Sequence, residues 1–209
     1  NWETSIDTYE KNYAYSVRCV QDESMESDSL IKSAGKFDGE PSLIVIPASN
    51  TVKGLFTDSR DGKKYKTVTI GSQTWMAENL NYKMENSHCL DDKARKCEKY
   101  GRLYEWAAAR NACPAGWRLP TKKEWNILVS SIGGPSLAGL KFRTSSGWCN
   151  HGITETIYGE FTIDFRCENS CCHTNGTDLY GFSVLPASSW DDSRWNAEGD
   201  TTFFWRATE

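Results

Sequence analysis

The clearest pattern of apolar and polar positions is helical and lies in the middle of the chain. Large apolar residues recur there at the spacing of one helix face, at Trp125, Leu128, Val129 and Ile132. Thr121 precedes this face as an N-cap, and Glu124, three residues later, completes a capping box. Residues 133–135 (GGP) follow, and glycine followed by proline is typical of a helix end. We therefore predict an amphipathic helix between Thr121 and residue 133.

A two-residue alternation predicts strands on both sides of this helix. Near the start of the chain the two alternating sets are Tyr13, Tyr15, Val17 and Cys19, and Asn12, Ala14, Ser16 and Arg18. Asp61 and Gly62 are typical of a hairpin corner, and residues 65–70 alternate after them. Residues 180–205 combine short apolar runs with polar turns, which indicates antiparallel sheet. The alanine-rich residues 103–112 favour a second helix.

Two stretches near the start of the chain have the composition of connections. Residues 21–29 are rich in acidic residues and serines, which predicts a solvated linker rather than a binding surface. Residues 43–46 (LIVI) lie between two prolines, and this pattern predicts a short strand or an anchored extended segment.

Composition narrows the classes of function. The chain has 209 residues, which suits one large domain with a substantial core. Its net charge is −4 and it contains no run of lysine or arginine, which argues against a nucleic-acid partner. No apolar run approaches the roughly 18 residues of a membrane helix, so we predict no membrane span. Nine Trp, nine Tyr and eight Phe at a mean hydropathy of −0.61 indicate a loop-rich fold with a few large aromatic residues in its core.

The eight cysteines indicate the compartment in which the chain works. Free thiols at this density are rare in reducing cytoplasm, so we expect a protein that is secreted or lies on the outer cell surface and contains disulfides. Eight cysteines allow about 105 pairings, and the spacing alone selects none of them.

Five stretches of the chain resemble the Fibrobacter succinogenes major paralogous domain. They are residues 54–62 (GLFTDSRDG), 70–82 (IGSQTWMAENLNY), 100–106 (YGRLYEW), 113–125 (CPAGWRLPTKKEW) and 180–186 (YGFSVLP). These motifs are long and specific, and together they cover most of residues 53–209.

The resemblance implies a fold rather than a chemistry. The family is similar to the C-type-lectin-like fold, which implies an α+β domain with two helices on small antiparallel sheets, long loops and disulfides. Its members occur in secreted or surface-attached proteins of a cellulose-degrading bacterium. Residues 118–125 are also similar to the start of the core helix in formylglycine-generating enzymes, but the catalytic cysteine pair of those enzymes has no recognisable counterpart here. Because a fold does not confer chemistry, no activity follows from it.

The family pattern also implies how the two ends of the chain meet. Residues 1–20 resemble the tail that closes a domain of this family, residues 21–52 form a linker, and residues 53–209 form the domain body. We expect the tail to join the sheet of the body in the same chain or in a neighbouring copy, and effective concentration favours the same chain. We expect Cys113 to pair with Cys19 of this tail, and we expect Cys89 and Cys97 to close a small loop.

The other four cysteines lie in an irregular insertion, residues 147–177, with two histidines. They are Cys149, Cys167, Cys171 and Cys172, and the histidines are His151 and His173. A zinc site and a pair of disulfides are both compatible with this set. Because the spacings match no standard zinc motif and oxidised thiols do not bind zinc, we predict two disulfides of unassigned pairing, no metal and no cofactor.

Enzymatic chemistry has little support in the sequence. The three histidines, His88, His151 and His173, each lie near a cysteine in a loop-like stretch. No nucleophile elbow or phosphate-binding glycine loop occurs, so we predict no enzymatic activity. The Glu-Pro-Asn and Trp-Asn-Asp patterns of calcium-dependent lectins are absent as well. The acidic residues Asp191, Asp192, Glu198 and Asp200 are therefore more typical of a solvated loop than of calcium ligands.

The loop of residues 188–202 is the best candidate for a ligand-binding surface. Its candidate residues are Trp190, Asp191, Asp192, Arg194 and Trp195. Flat aromatic rings beside hydrogen-bonding side chains suit a sugar ring or the hot spot of a protein partner. The alternative is that one or both indoles fill the sheet, which we favour for Trp195, and Trp190 is the better candidate of the two for a ligand contact. Five further tryptophans are expected in the core: Trp75, Trp106, Trp117, Trp125 and Trp205.

The sequence therefore predicts a non-catalytic secreted or cell-surface module that binds a glycan or a protein partner. One alternative is a structural subunit of a surface appendage or fibre, which self-associates by strand donation through its N-terminal strand. An enzyme with a C-type-lectin-like fold is the other alternative.

Overall fold

The computed structural model describes residues 13–22, 45–148, 154–156, 162–166, 175–191 and 201–207. In chain order the strands are β1 Tyr13–Ser16, β2 Val20–Gln21, β3 Val52–Thr57, β4 Lys64–Ile70, β5 Gln73–Met76, β6 Ser87–His88, β7 Leu103–Glu105, β8 Trp117–Arg118, β9 Thr154–Thr156, β10 Thr162–Arg166, β11 Trp190–Asp191 and β12 Thr202–Trp205. The α-helices are α1 Ala94–Tyr100, α2 Trp106–Ala109, α3 Lys122–Ser131 and α4 Pro135–Phe142. Short 3₁₀ helices cover Ala48–Asn50 and Leu90–Asp92.

The described strands form two sheets, and the start of the chain contributes to both. Seven strands form the first sheet in the order β6-β7-β1-β12-β10-β9, and β11 also pairs with β1. These pairings are antiparallel except for β1 with β12. Five strands form the second, antiparallel sheet in the order β3-β4-β5-β2-β8. Strand β1 thus lies between β7 and β12, and β2 lies between β5 and β8.

This arrangement confirms the predicted α+β class, but the described residues contain four α-helices rather than two. One of the two additional helices, α4, begins at Pro135, which the sequence pattern had assigned only to the end of the preceding helix. Proline is well suited to the first position of a helix, because the N–H that it lacks would have no partner inside the helix there.

Helix α3 confirms the central helix, including its cap. The Thr121 hydroxyl accepts a hydrogen bond from the backbone N–H of Glu124 at 3.2 Å, and the Glu124 carboxylate accepts one from the backbone N–H of Thr121 at 2.8 Å. Trp125, Leu128 and Ile132 are fully buried. The local signal was sufficient because capping box and apolar face both lie within one short stretch of sequence.

The helix predicted for residues 103–112 is wrong in its first part. Leu103–Glu105 is strand β7, and helix α2 covers only Trp106–Ala109. Tyr104 is paired with Tyr15 on one side and with Ser87 on the other. Pairing with strands that are distant in sequence therefore overrides the local helical preference of this stretch.

The first predicted hairpin is present and joins β3 to β4. The backbone N–H of Asp58 donates to the Lys63 carbonyl at 2.8 Å, which closes the turn. Gly62 has φ 76°, a left-handed value that favours glycine. Ahead of the hairpin, the Ile46 N–H donates to the Ser131 carbonyl at 2.7 Å, so the end of the predicted linker is anchored on the body. Residues 43 and 44 lie outside the described residues, and the domain boundaries at 20 and 52 stay predictions.

Aromatic rings from both sheets and from α3 form the centre of the core. The rings of Trp75 and Trp125 are 4.7 Å apart, and both residues have no exposed surface. Trp125 also lies 5.5 Å from Phe204. Four of the five tryptophans predicted for the core are buried, namely Trp75, Trp117, Trp125 and Trp205. The fifth, Trp106, is partly buried, with its ring 5.2 Å from that of Trp205.

Two disulfides connect described cysteines, Cys19–Cys113 and Cys89–Cys97, and both are the expected pairs. Cys149, Cys167, Cys171, Cys172, His151 and His173 lie outside the described residues. The choice between disulfides and zinc in that insertion stays a prediction. None of the helices in the described part of the chain has the length and apolar character that crossing a membrane requires.

Candidate ligand-binding surface

Strand register places Trp190, Glu105 and His88 on one face of the first sheet. Ala14 of β1 is opposite Trp190 of β11 on one side and opposite Glu105 of β7 on the other. His88 of β6 is opposite Leu103, which is two residues before Glu105 and so points to the same face as Glu105. The small side chain of Ala14 separates Trp190 from Glu105, and the three polar or aromatic groups converge across four neighbouring strands.

His88 contacts both of the other side chains and lies between them. The imidazole of His88 stacks on the indole of Trp190, with ring centroids 4.7 Å apart and an interplanar angle of 25°. Nε2 of His88 lies 2.9 Å from Oε1 of Glu105. The His88 and Glu105 side chains are each 26% exposed, and Trp190 is half-buried. Glu105 therefore orients the imidazole, and the imidazole supports the indole.

A small apolar cluster lies beside this row. Its buried members are Ala14, Leu90, Tyr100, Leu103 and Ala187, and Leu185 and Trp190 pack against it while partly exposed. Leu90 directly follows His88 and Cys89, so the loop that carries His88 is attached to the same cluster. The position of the indole is thus set by packing on one side and by the imidazole on another.

The loop of residues 86–97, which we call the His88 loop, has its own local constraints. Asn86, Asp91 and Asp92 have φ values of 56°, 54° and 55°, in the left-handed region where asparagine and aspartate are enriched. The backbone N–H of Glu105 donates to the Asn86 carbonyl at 3.0 Å, and the Cys89–Cys97 disulfide closes the loop onto α1. These constraints hold His88 in place although much of the loop is exposed.

A cleft of about 210 Å³ adjoins the apolar cluster. Tyr100 and Leu185 belong to both the cluster and the lining of the cleft. Charged residues form much of the remaining lining: Lys63, Lys64, Lys99, Glu78 and Glu98. Burial raises the pKa of Tyr65, also in the lining, to about 12, so its hydroxyl stays protonated at neutral pH. Such a polar lining suits a small hydrophilic group better than an apolar ligand.

Only part of the ligand surface predicted from the sequence lies among the described residues. Trp190 is in β11, and the backbone of Asp191 pairs with Tyr13. Asp192, Arg194 and Trp195 lie outside the described residues, as do Glu198 and Asp200, so their grouping with Trp190 stays a prediction. Nothing is described of the Asp191 side chain.

Sequence reasoning did not connect His88 and Glu105 with Trp190. His88 had been considered only as a catalytic base, and Glu105 had been assigned to a helix. Pairing of β6 with β7 brings the two residues together. Both strands are too short to show an alternation of apolar and polar positions in the sequence. In the described residues no group of three or more His, Cys, Asp or Glu side chains is arranged to hold a metal ion.

The model of the Fibrobacter succinogenes major domain matches residues 68–209. No curated protein and no solved structure matches the chain.

Proposed function

We propose that this chain, which belongs to the family of the Fibrobacter succinogenes major domain, is a non-catalytic binding module whose ligand is a glycan that packs against Trp190. The proposal includes the C-type-lectin-like fold and the secreted or outer-surface location that the sequence resemblance implies.

The observation that carries this proposal is the row of Trp190, His88 and Glu105. Proteins bind sugar rings through flat aromatic surfaces with polar groups beside them, because the ring presents C–H groups on its faces and hydroxyls at its edge. One face of the half-buried indole is covered by the imidazole of His88, so a sugar ring would pack against the part of the indole that is exposed, with the imidazole and the carboxylate of Glu105 as polar groups next to it. Because this stacking already orients the indole, binding loses little side-chain entropy.

Two further features support a glycan ligand. The nearby cleft of about 210 Å³ is of the size of a single sugar residue and has a polar lining. The carboxylate of Glu105 is engaged by the imidazole of His88 at 2.9 Å, an arrangement that favours positioning over acid catalysis. A glycosidase requires two carboxyl groups facing one scissile bond, and Glu105 is the carboxylate of this row.

The test is binding of the full chain to a panel of soluble polysaccharides, followed by tryptophan fluorescence and affinity electrophoresis. We expect Trp190→Ala to weaken binding by at least about tenfold, which corresponds to about 1.4 kcal/mol. Trp190→Phe retains a flat ring and is expected to lose less. The control is Leu55→Ala, which removes a side chain of a residue that is 63% exposed on β3 and should leave binding unchanged.

Two outcomes would contradict the proposal in different ways. If Trp190→Ala binds a polysaccharide as tightly as the unsubstituted chain, the site is wrong although the function stands. If the unsubstituted chain binds no glycan of the panel, the function itself is wrong and a protein partner becomes the better candidate.

A further inference from the structure

We propose that residues 13–22, the N-terminal segment, are an exchangeable element, and that their binding groove also accepts the N-terminal segment of a second copy of this chain. The Cys19–Cys113 disulfide would then link the two copies covalently. This proposal concerns assembly and does not depend on the glycan site.

The first support is the position of the segment in the sheets. Strand β1 lies inside the first sheet between β7 and β12, and β2 lies inside the second sheet between β5 and β8. Without the segment, both sheets would have an internal gap lined by unpaired backbone groups. Such gaps are filled by adding an extended strand, and a strand from another chain makes the same backbone hydrogen bonds.

The second support is the depth to which the segment is buried. Every residue from Ala14 to Val20 is buried, and Ala14, Val17, Arg18 and Cys19 have no exposed surface. The Met76 N–H donates to the Cys19 carbonyl at 2.9 Å, and the Leu80 N–H donates to the Val17 carbonyl at 3.0 Å. The body therefore provides a complete groove for the segment rather than a surface on which it rests.

Arg18 makes the groove specific for this segment. Its Nε donates to Oδ1 of Asn79 at 2.7 Å, and its Nη2 donates to the Ser183 carbonyl at 2.8 Å. Its Nη1 donates to the carbonyls of Met76 and Phe182. The guanidinium also lies 4.9 Å from the centroid of the Phe182 ring. A strand without arginine at this position would leave these acceptors unpaired in the core.

The C-terminal end of the segment, at Asp22, is also bound by residues of the body. The Asp22 N–H donates to the Gly116 carbonyl at 2.9 Å, and Nε of Arg118 lies 3.2 Å from Oδ1 of Asp22. Cys113, the disulfide partner of Cys19, is three residues before Gly116. Each of these groups belongs to residues 76–204 of the body, so the contacts would be identical if the segment came from another copy.

The sequence between segment and body permits both arrangements. Residues 23–44 separate them, which is 22 residues of sequence. A connection of this length gives an effective concentration on the order of millimolar, so closure within one chain dominates in dilute solution. Exchange between copies competes with closure when the concentration of chains reaches this effective concentration, as on a crowded surface. A second copy of this chain carries the same segment and the same groove, so it is the partner that the groove fits.

The experiment uses the unsubstituted full chain in two isotopic forms. Unlabelled and ¹⁵N-labelled chains are mixed in equal amounts, reduced and unfolded, and refolded under oxidising conditions at about 10 μM and at about 1 mM. The products are digested without reduction, and the disulfide-linked peptides are weighed by mass spectrometry. A Cys19–Cys113 peptide pair with one labelled and one unlabelled half arises only from two different chains.

We expect mixed-label Cys19–Cys113 pairs to be rare at the lower concentration and to rise severalfold at the higher one. The Cys89–Cys97 pair is the internal control, because its cysteines are 8 residues apart and should stay within one chain at both concentrations. The proposal is overturned if mixed-label Cys19–Cys113 pairs do not increase with concentration. It is overturned equally if the Cys89–Cys97 pairs mix to the same extent, since this would indicate unspecific disulfide exchange.

Discussion

The two described disulfides lie in regions of opposite character. Cys19–Cys113 connects residues 94 apart in sequence, and Cys19 has no exposed surface. Cys89–Cys97 connects residues 8 apart and closes the His88 loop, where His88 and Cys89 are half-buried and residues 92–95 are exposed. The first bond joins the N-terminal segment to the turn that precedes β8. The second bond shapes a local loop that presents a side chain to solvent.

This difference indicates that one region contributes mainly to the stability of the fold and the other mainly to ligand binding. The N-terminal segment is specified by burial, by the hydrogen bonds of Arg18 and by a long-range bond, so its loss would open both sheets. The His88 loop is closed by a short-range disulfide, and apart from Leu90 and Cys97 its residues are exposed or half-buried. We therefore expect changes in the first region to alter the free energy of unfolding, and changes in the second to alter binding.

The largest expected effect comes from removing each disulfide in turn. In the loop-entropy model, a bond that closes 94 residues contributes about 4.7 kcal/mol and one that closes 8 residues about 2.5 kcal/mol. We expect Cys19→Ala with Cys113→Ala to lose about 2 kcal/mol more free energy of unfolding than Cys89→Ala with Cys97→Ala. Urea unfolding followed by tryptophan fluorescence measures both. Equal losses for the two double variants would mean that the two regions do not differ in this way.

The next effect is that of the buried guanidinium of Arg18. Burial lowers the pKa of Arg18 to about 9, so the group is still charged at neutral pH although it has left water. We expect Arg18→Met to lower the free energy of unfolding by about 3 kcal/mol, because several buried acceptors lose their donor. Arg18→Lys should also be destabilising, since a single ammonium does not reproduce the planar fork.

A matched control for Arg18 is Arg110, which is exposed at the end of α2. We expect Arg110→Met to change the free energy of unfolding by less than about 0.5 kcal/mol. Urea unfolding of the two variants at neutral pH makes the comparison. A similar loss for both arginines would contradict the role assigned to the N-terminal segment.

A smaller, pH-dependent effect is expected at the start of α3, beside the end of the N-terminal segment. Burial alone would raise the pKa of the Glu124 carboxyl, but hydrogen bonds from Arg118 and Thr121 outweigh it and hold the pKa below its ordinary value. A carboxyl whose pKa is lowered by folding stabilises the fold above its unfolded pKa, and this contribution is lost as the pH falls through the folded pKa. We expect Glu124→Gln to cost about 1 kcal/mol at pH 7.

The measurement is urea unfolding of Glu124→Gln and of the unsubstituted chain at pH 7 and at pH 3. The difference between the two should shrink at pH 3, which lies below the ordinary pKa of a glutamate carboxyl, because unfolding of the unsubstituted chain then takes up a proton. Glu98, an exposed glutamate of α1, is the control, and Glu98→Gln should show little difference at either pH. A constant difference for Glu124→Gln across this range would show that the charge of Glu124 is not what stabilises the cap.

The elements that could be predicted from the sequence are those whose determinants are local. Helix α3 carries its cap and its apolar face within a few residues, and the first hairpin carries its own turn. Strand β7 was missed because its pairing partners, β1 and β6, are distant in sequence or only two residues long. The Cys19–Cys113 pair follows from no periodicity, because its two cysteines are 94 residues apart in sequence.

The candidate site could be predicted only in part for the same reason. Trp190 was found because an aromatic residue among acidic and polar neighbours is visible in the sequence. His88 and Glu105 join it through strand register across β6, β7, β1 and β11, and register between short strands has no local signal. A surface assembled from four strands therefore appears only once their order is known.

The smallest expected effect on stability is that of replacing His88, and it tests the role assigned to the His88 loop. Nε2 of His88 lies 2.9 Å from Oε1 of Glu105, and both side chains are 26% exposed, so water competes for this contact. Partly exposed pairs of this kind contribute about 0–1 kcal/mol. We expect His88→Ala to lower the free energy of unfolding by less than about 1 kcal/mol while weakening polysaccharide binding severalfold, because the indole of Trp190 loses its support. Urea unfolding and affinity electrophoresis on the same preparation measure both quantities. A loss of stability as large as that of Arg18→Met would show that the His88 loop is part of the scaffold and not a presenting surface.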